Sequence, residues 1–232
     1  MWNTKQLEIL KEMYYDGEKE QILNKLNKTN WISVQQYANK LGLKRNKKFS
    51  ITQKGKLEYL LQENNQCYYW IGYILADGCI MNNKQLVVVA SEKDKEHIDK
   101  LSKLLFCEAK KCIASKGNSE WKEKGWIRNN YYRIAIQDKI ITNKIANKFD
   151  IKSRKTYNPP DFNTYKELDK DKLFSLFIGI IDGDGHIKSN GNIIIQCHNS
   201  WFNFFKSLLN TMNYKYSNKN KKSGYLHLAI ST

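Results

Sequence analysis

Two aspartates, Asp77 and Asp184, each stand directly before a glycine at the end of an apolar stretch. The first stretch is Tyr69-Trp70-Ile71-Gly72-Tyr73-Ile74-Leu75-Ala76-Asp77-Gly78. The second is Leu176-Phe177-Ile178-Gly179-Ile180-Ile181-Asp182-Gly183-Asp184-Gly185. Each holds a pair of small residues four positions apart, Gly72 with Ala76 and Gly179 with Gly183. Positions four apart share a helix face, so two such helices could pack with their backbones close. That packing would bring Asp77 and Asp184 together at one end of the pair. A carboxylate is repelled by the partial negative charge of a helix C-terminus, and two carboxylates repel each other. A divalent cation resolves both problems. Mg²⁺ (or Mn²⁺) takes a few carboxylates and completes its shell with water and phosphate oxygens. Chemistry at phosphorus follows, with an activated water and a stabilised leaving oxygen.

The elements that must position these groups form a repeat with a constant offset, from Gly78 to Gly185. Leu86 to Val89 falls on Ile193 to Gln196, a short β-branched run in each copy. Asn82-Asn83 falls on Ser189-Asn190, with Gly191 following, a hairpin signal. Ile98, Leu101, Leu104 and Leu105 keep helical spacing, as do Phe204, Phe205, Leu208 and Leu209. Tyr131 to Gln137 alternates apolar Tyr132, Ile134 and Ile136 with Arg133, Ala135 and Gln137. A helix over roughly 139–149 closes the first copy, and Leu226 to Ile230 matches its last strand in the second. The expected fold is α+β: two pseudo-symmetric α-β-β-α-β-β(-α) repeats with antiparallel sheets. The glycine after each aspartate is expected to supply a left-handed helix cap.

Residues 1–48 read differently, as three short helices with tight turns, which suits a helix-turn-helix unit. Ser33 is the expected N-cap of the third helix and Gly42 its C-cap. Residues 49–64 read as a linker, 65–157 as the first repeat, 158–170 around Pro159-Pro160 as a second linker, and 171–232 as the second repeat, without its last helix.

The chain has 232 residues and a net charge of +16, with 41% hydrophobic residues. That apolar share supports a sizeable core. The charge attracts polyanions, and nucleic acid is the leading class of partner. No apolar run approaches the ~18 residues of a membrane span, and no signal-peptide core follows Met1. Five cysteines without a C-x-x-C pair read as reduced. The expectation is an intracellular protein, in cytoplasm or nucleoid, an organelle matrix or a virus-infected cell, not secreted and not bound to membrane. The Asp182-Gly183-Asp184-Gly185 run lacks the further acidic positions of a calcium loop.

The two apolar stretches resemble the paired motifs of the LAGLIDADG homing endonucleases, in their double-motif, single-chain form. The resemblance covers about residues 67–232. Phe177 to Gly185 follows the family motif closely, whereas Trp70 to Gly78 carries Leu75 at its first acidic position. The resemblance implies a monomer that hydrolyses both strands of a long double-stranded DNA site. Asp77 and Asp184 would be metal ligands and catalytic groups, with the carbonyls of Ala76 and Gly183 assisting. Gln196, whose repeat-one equivalent is Val89, and Lys139 would complete the catalytic set. Arg128, Arg133 and Lys188 would lie on a saddle of strands over the DNA. The stretch Trp31 to Arg45 looks like a DNA-binding helix appended to such enzymes, with Gln35, Gln36, Asn39, Lys40, Lys44 and Arg45 facing DNA. The rival implication is a catalytically degenerate DNA-binding remnant, or a group I intron maturase binding intron RNA.

Overall fold

The computed structural model describes residues 2–45, 53–112, 130–220 and 224–231. The chain divides into two compact units, Met1–Ile51 and Thr52–Thr232.

The first unit holds α1 (Thr4–Met13), α2 (Lys19–Lys25) and α3 (Trp31–Lys40). Leu10, Tyr14, Ile22, Leu26, Val34 and Ala38 form its core. Asn3 and Gln6 close a reciprocal capping box at the start of α1. The expected cap at Ser33 is displaced by one turn. Asn30 caps α3, its side chain accepting from the Ile32 and Ser33 amides at 2.9 and 3.4 Å. The Ser33 hydroxyl instead donates to the Asn30 carbonyl. Asn accepts these bonds as well as Ser does, and it stands one residue before the first core-periodic side chain. At the other end Leu41 is the cap, and Gly42 lies one position beyond it with φ +71°.

The second unit is built twice. The first repeat runs α4 (Asn65–Asp77), β1 (Gly78–Met81), β2 (Gln85–Ser91), α5 (Lys95–Leu104), β3 (Lys110–Cys112), β4 (Tyr131–Gln137) and α6 (Lys139–Lys148). The second runs α7 (Lys170–Asp184), β5 (Gly185–Ile187), β6 (Ile193–His198), α8 (Phe202–Thr211), β7 (Lys215–Asn220) and β8 (Tyr225–Ser231). The sheets have matching orders, β1-β2-β4-β3 and β5-β6-β8-β7, and all these pairs are antiparallel. The expected α+β architecture is therefore present; the offset that links Gly78 to Gly185 also links Val88 to Ile195, but it is shorter between β4 and β8, where Leu228 stands for Ile134.

Sheet registers follow from the two-residue period. Val88 pairs with Ile134 and Leu86 with Ile136, and all four are fully buried. Ile195 pairs with Leu228 in the same way. The three-residue β1–β2 turn takes Asn82 and Asn83 at φ +52° and +53°, left-handed values that asparagine tolerates, and the Lys84 amide donates to the Met81 carbonyl at 3.1 Å. α5 and α8 bury Ile98 and Leu101, and Phe204, Phe205, Leu208 and Leu209, against the sheets.

Leu57 and Leu60, in the stretch before α4, are fully buried in this core. Tyr165, between α6 and α7, is buried with its hydroxyl donating to the Phe149 carbonyl at 2.6 Å. Both connecting stretches thus pack on the repeats. Among the described residues no helix is long and apolar enough to cross a membrane.

Candidate active site

The helices α4 and α7 meet through their small residues. A Cβ placed on Gly72 would lie 2.0 Å from the Leu176 carbonyl oxygen, and one on Gly179 would lie 1.9 Å from that of Tyr69. One turn further, a Cβ on Gly183 would sit 2.3 Å from the Ala76 Cβ and 3.5 Å from Asp77 Oδ2. Backbone touches backbone here, as the small-residue spacing requires. The contact carries the two aspartates to the same end of the pair.

The helices do not end in left-handed glycines. Gly78 and Gly185 have φ of −93° and −92° and continue straight into strands. The glycine is needed for space. A Cβ on Gly78 would be 2.8 Å from the Ile74 carbonyl oxygen, and one on Gly185 2.6 Å from that of Ile181. An abrupt helix-to-strand junction makes each aspartate the last helical residue.

Both carboxylates keep solvent access while protein crowds them. That crowding, with the Asp184 charge second, raises Asp77 to about 6. Asp184 is also raised, by the same desolvation, against an opposing pull from Lys155. Tyr73 lies one turn before Asp77 on α4, and burial together with the Asp77 charge raises the pKa of its hydroxyl. The donor set is hard carboxylate oxygen, which suits Mg²⁺ or Mn²⁺. Among the described residues no group of three or more His, Cys, Asp or Glu forms a closed metal cage. Water and phosphate oxygens would have to supply the remaining ligands.

One basic group reaches this end of the pair, and the sequence pattern contains no signal for it. Lys155 Nζ donates to the carbonyls of both Leu75 and Ala76. Burial pulls this ammonium's pKa down while Asp184 and Asp77 push it back up. Lys155 also lines a cavity of about 240 Å³ with Ala76, Asp184 and Gln196. Gln196 is therefore beside Asp184, while its equivalent Val89 contributes only a half-exposed apolar side chain on the first sheet. Lys139 is elsewhere in character, an exposed residue in the first turn of α6, beside its cap Asp138, and it does not line this cavity.

The two halves differ in a second way. Asp182 accepts from the Tyr69 hydroxyl at 2.5 Å, and the same hydroxyl lies 3.1 Å from His97 Nε2. His97 packs on Trp70 and Tyr73, and burial lowers its pKa. Leu75, at the matching position of α4, is buried on the cavity side instead.

The residues read as facing nucleic acid fall into three groups. Gln35, Gln36, Asn39 and Lys40 are exposed on α3, opposite the buried Val34 and Ala38, and Lys44 is exposed just beyond. Arg45 turns inward. Its guanidinium donates to the Tyr14 and Gly17 carbonyls at 2.9 and 2.7 Å and lies over the Trp31 ring, so it ties the first unit together. In the second unit, Arg133 pairs with Val89 and Lys110 on the sheet face away from the core, and Lys188 is exposed in the β5–β6 turn. Arg128 lies outside the described residues.

The fold and this site thus define a two-repeat α+β protein, with a close-packed helix pair that presents paired carboxylates beside two antiparallel sheets. Among solved structures it is similar to I-DmoI in complex with DNA and calcium, with TM-score 0.45 and 15% identity, over 76% of this chain and 84% of that one. It is also similar to I-SmaMI bound to uncleaved DNA target in the presence of calcium ions, with TM-score 0.47 and 11% identity, over 74% and 80%. No family model matches the chain, and no curated protein does.

Proposed function

We propose that this chain is a sequence-specific, divalent-metal-dependent DNA endonuclease of the homing type, cutting both strands of a long site. The observation that carries the reading is the meeting of Asp77 and Asp184 at one end of a backbone-contact helix pair, each at the head of a sheet. Two carboxylates crowded at one helix end repel each other, and a cation shared with a phosphate relieves that repulsion. A net charge of +16 suits a polyanionic partner.

Asp77 and Asp184 would hold the metal, helped by the carbonyls of Ala76 and Gly183. The bound ion would supply charge neutralisation at the scissile phosphate and an acidified water. Gln196 would orient a water on the Asp184 side, a reading supported by both residues lining one cavity. Arg133 and Lys188 would contact DNA backbone or bases. Gln35, Gln36, Asn39, Lys40 and Lys44 would extend the contacted site from a helix-turn-helix unit.

The test is cleavage of a randomised duplex library with Mg²⁺ by the wild-type chain and by Asp77→Asn and Asp184→Asn. Cuts at one motif by wild type alone, with duplex binding kept in both variants, support the reading. Cleavage retained in either variant overturns the two-carboxylate mechanism. Selective binding of a duplex with no cuts makes the chain a DNA-binding remnant. Tighter binding of an intron transcript than of any duplex makes it a maturase.

A further inference from the structure

The two sheets follow one plan, yet the side chains they turn away from the core differ in kind. In the first sheet Leu86 and Val88 face the core, so Cys79, Met81, Val87 and Val89 face outward. Val87 is buried within that outer face, whereas Cys79 is exposed, Met81 is 44% exposed and Val89 37%. The offset of the repeat carries Cys79, Met81 and Val89 onto His186, Lys188 and Gln196, all of them exposed. Val87 falls on Ile194, so that position is apolar and buried in both copies. The exposed outward positions thus hold sulfur and hydrocarbon in one half and hydrogen-bonding groups in the other. Polar groups flank the apolar ones in the first half. Gln137 is exposed and stands in one cross-strand row with Gln85 and Met81. Arg133 pairs with Val89, and its Nε is buried without a hydrogen-bond partner among the described residues.

Single exposed apolar residues are common on any surface. A set at repeat-matched outward positions, all polar in the sister sheet, points to a ligand with apolar groups of its own. The major groove of duplex DNA presents donors, acceptors and one apolar group, the C5 methyl of thymine. Cysteine, methionine and valine leave donors and acceptors unsatisfied, so the methyl is the groove feature that they complement. Gln137 suits the N7 and N6 edge of the paired adenine, and Arg133 suits a guanine or phosphate beside Val89. Met81 ends the strand that starts next to Asp77, about 13 Å from the carboxylates at the usual strand rise, or about four base pairs of duplex. We propose that Cys79, Met81 and Val89 read thymine methyl groups in the half-site under the first sheet, while His186 and Lys188 meet polar base edges in the other half. This inference rests on the DNA-endonuclease reading of the chain. It adds that the two half-sites differ in chemistry, with a methyl requirement on one side only, and that this difference sets which way round the chain lies on its target.

The experiment selects duplexes that the full chain binds from a randomised library, with Ca²⁺ present, and measures the affinity of the enriched duplex by fluorescence anisotropy. Deoxyuridine, which lacks only the C5 methyl, then replaces thymidine in one half of that duplex or in the other. Wild type should lose about fourfold in affinity for each contacted methyl removed from one half. The same replacement in the other half should leave affinity unchanged. The double variant Met81→Lys with Val89→Gln, which carries the residues of the second sheet at exposed positions, should lose the discrimination. The wild-type comparison needs no variant, so it decides the matter even if the double variant folds poorly. A selected duplex whose affinity ignores deoxyuridine in both halves overturns the methyl reading and leaves sequence-specific DNA binding standing. A penalty that persists in the folded double variant overturns the assignment to these residues in the same way. Enrichment of no duplex at all overturns the DNA reading and this inference with it.

Discussion

Gly179 lies against the backbone of Tyr69, so near that a single added carbon would stand 1.9 Å from the Tyr69 carbonyl oxygen. Its counterpart Gly72 has the same relation to Leu176, at 2.0 Å. Overpacking usually costs about 1–3 kcal/mol. Here the obstacle on each side is a helix backbone, which cannot move aside like a side chain. Gly179→Ala and Gly72→Ala should each destabilise the second unit by at least about 3 kcal/mol. Ala76→Gly, on the same helix face, should cost only about 1 kcal/mol, the propensity difference. Chemical denaturation of the three variants checks this, and equal losses would remove the close-contact argument.

The Tyr69–Asp182 bond crosses the same helix pair at 2.5 Å and is charge-assisted. A double-mutant cycle with Tyr69→Phe and Asp182→Asn should show a coupling of about 1 kcal/mol in stability. Cleavage should change far less than in Asp184→Asn, since Asp182 faces the Tyr69–His97 cluster. Additive single effects would mean that the bond contributes nothing net.

Asp77 titrates at about 6 in the folded chain against 3.8 ordinarily. The folded state therefore holds this proton more tightly than the unfolded state. Between those pH values, ionising Asp77 lowers the free energy of unfolding as pH rises, and the effect is complete above about 6. In metal-free buffer, wild type minus Asp77→Asn should show stability falling across that window. A divalent ion should flatten the slope. A difference that is level, or rises with pH, would contradict the crowding of this carboxylate.

In the first unit, Arg45 and Gln36 should separate cleanly. Arg45→Met leaves two carbonyls without their donor and uncovers Trp31, and should cost about 1–2 kcal/mol of stability. Gln36→Ala removes an exposed side chain, and stability should stay within about 0.5 kcal/mol of wild type. Gln36→Ala should instead weaken duplex binding, measured by fluorescence anisotropy. Unchanged binding there would take α3 out of the DNA-contacting surface.

Much of this molecule was legible from residue order because its information is periodic and duplicated. Strand β4 falls at Tyr131–Gln137 as alternation requires, and α6 starts at Lys139. The paired small residues predicted a helix contact, and Gly72 and Gly179 make it. Local errors arose where two side chains compete for one role. Asn30 took the cap that Ser33 might equally have filled, and Gly78 serves a crowded junction instead of a left-handed turn.

The pattern of apolar and small residues, repeated at a fixed offset, by itself determined two like units, their sheets and the helix pair that joins them. Those features depend on near-neighbour spacing, which a linear chain carries in full. Only the tertiary structure decided that Lys155 enters the site, that Arg45 turns inward, and that Asp182 and Leu75 face unlike surroundings. Each depends on what lies across from it in space. Lys155 stands 79 positions from the Ala76 carbonyl it reaches. No spacing rule connects them; the segment after α6 is held there by Trp201, whose Nε1 donates to the Lys155 carbonyl at 3.1 Å.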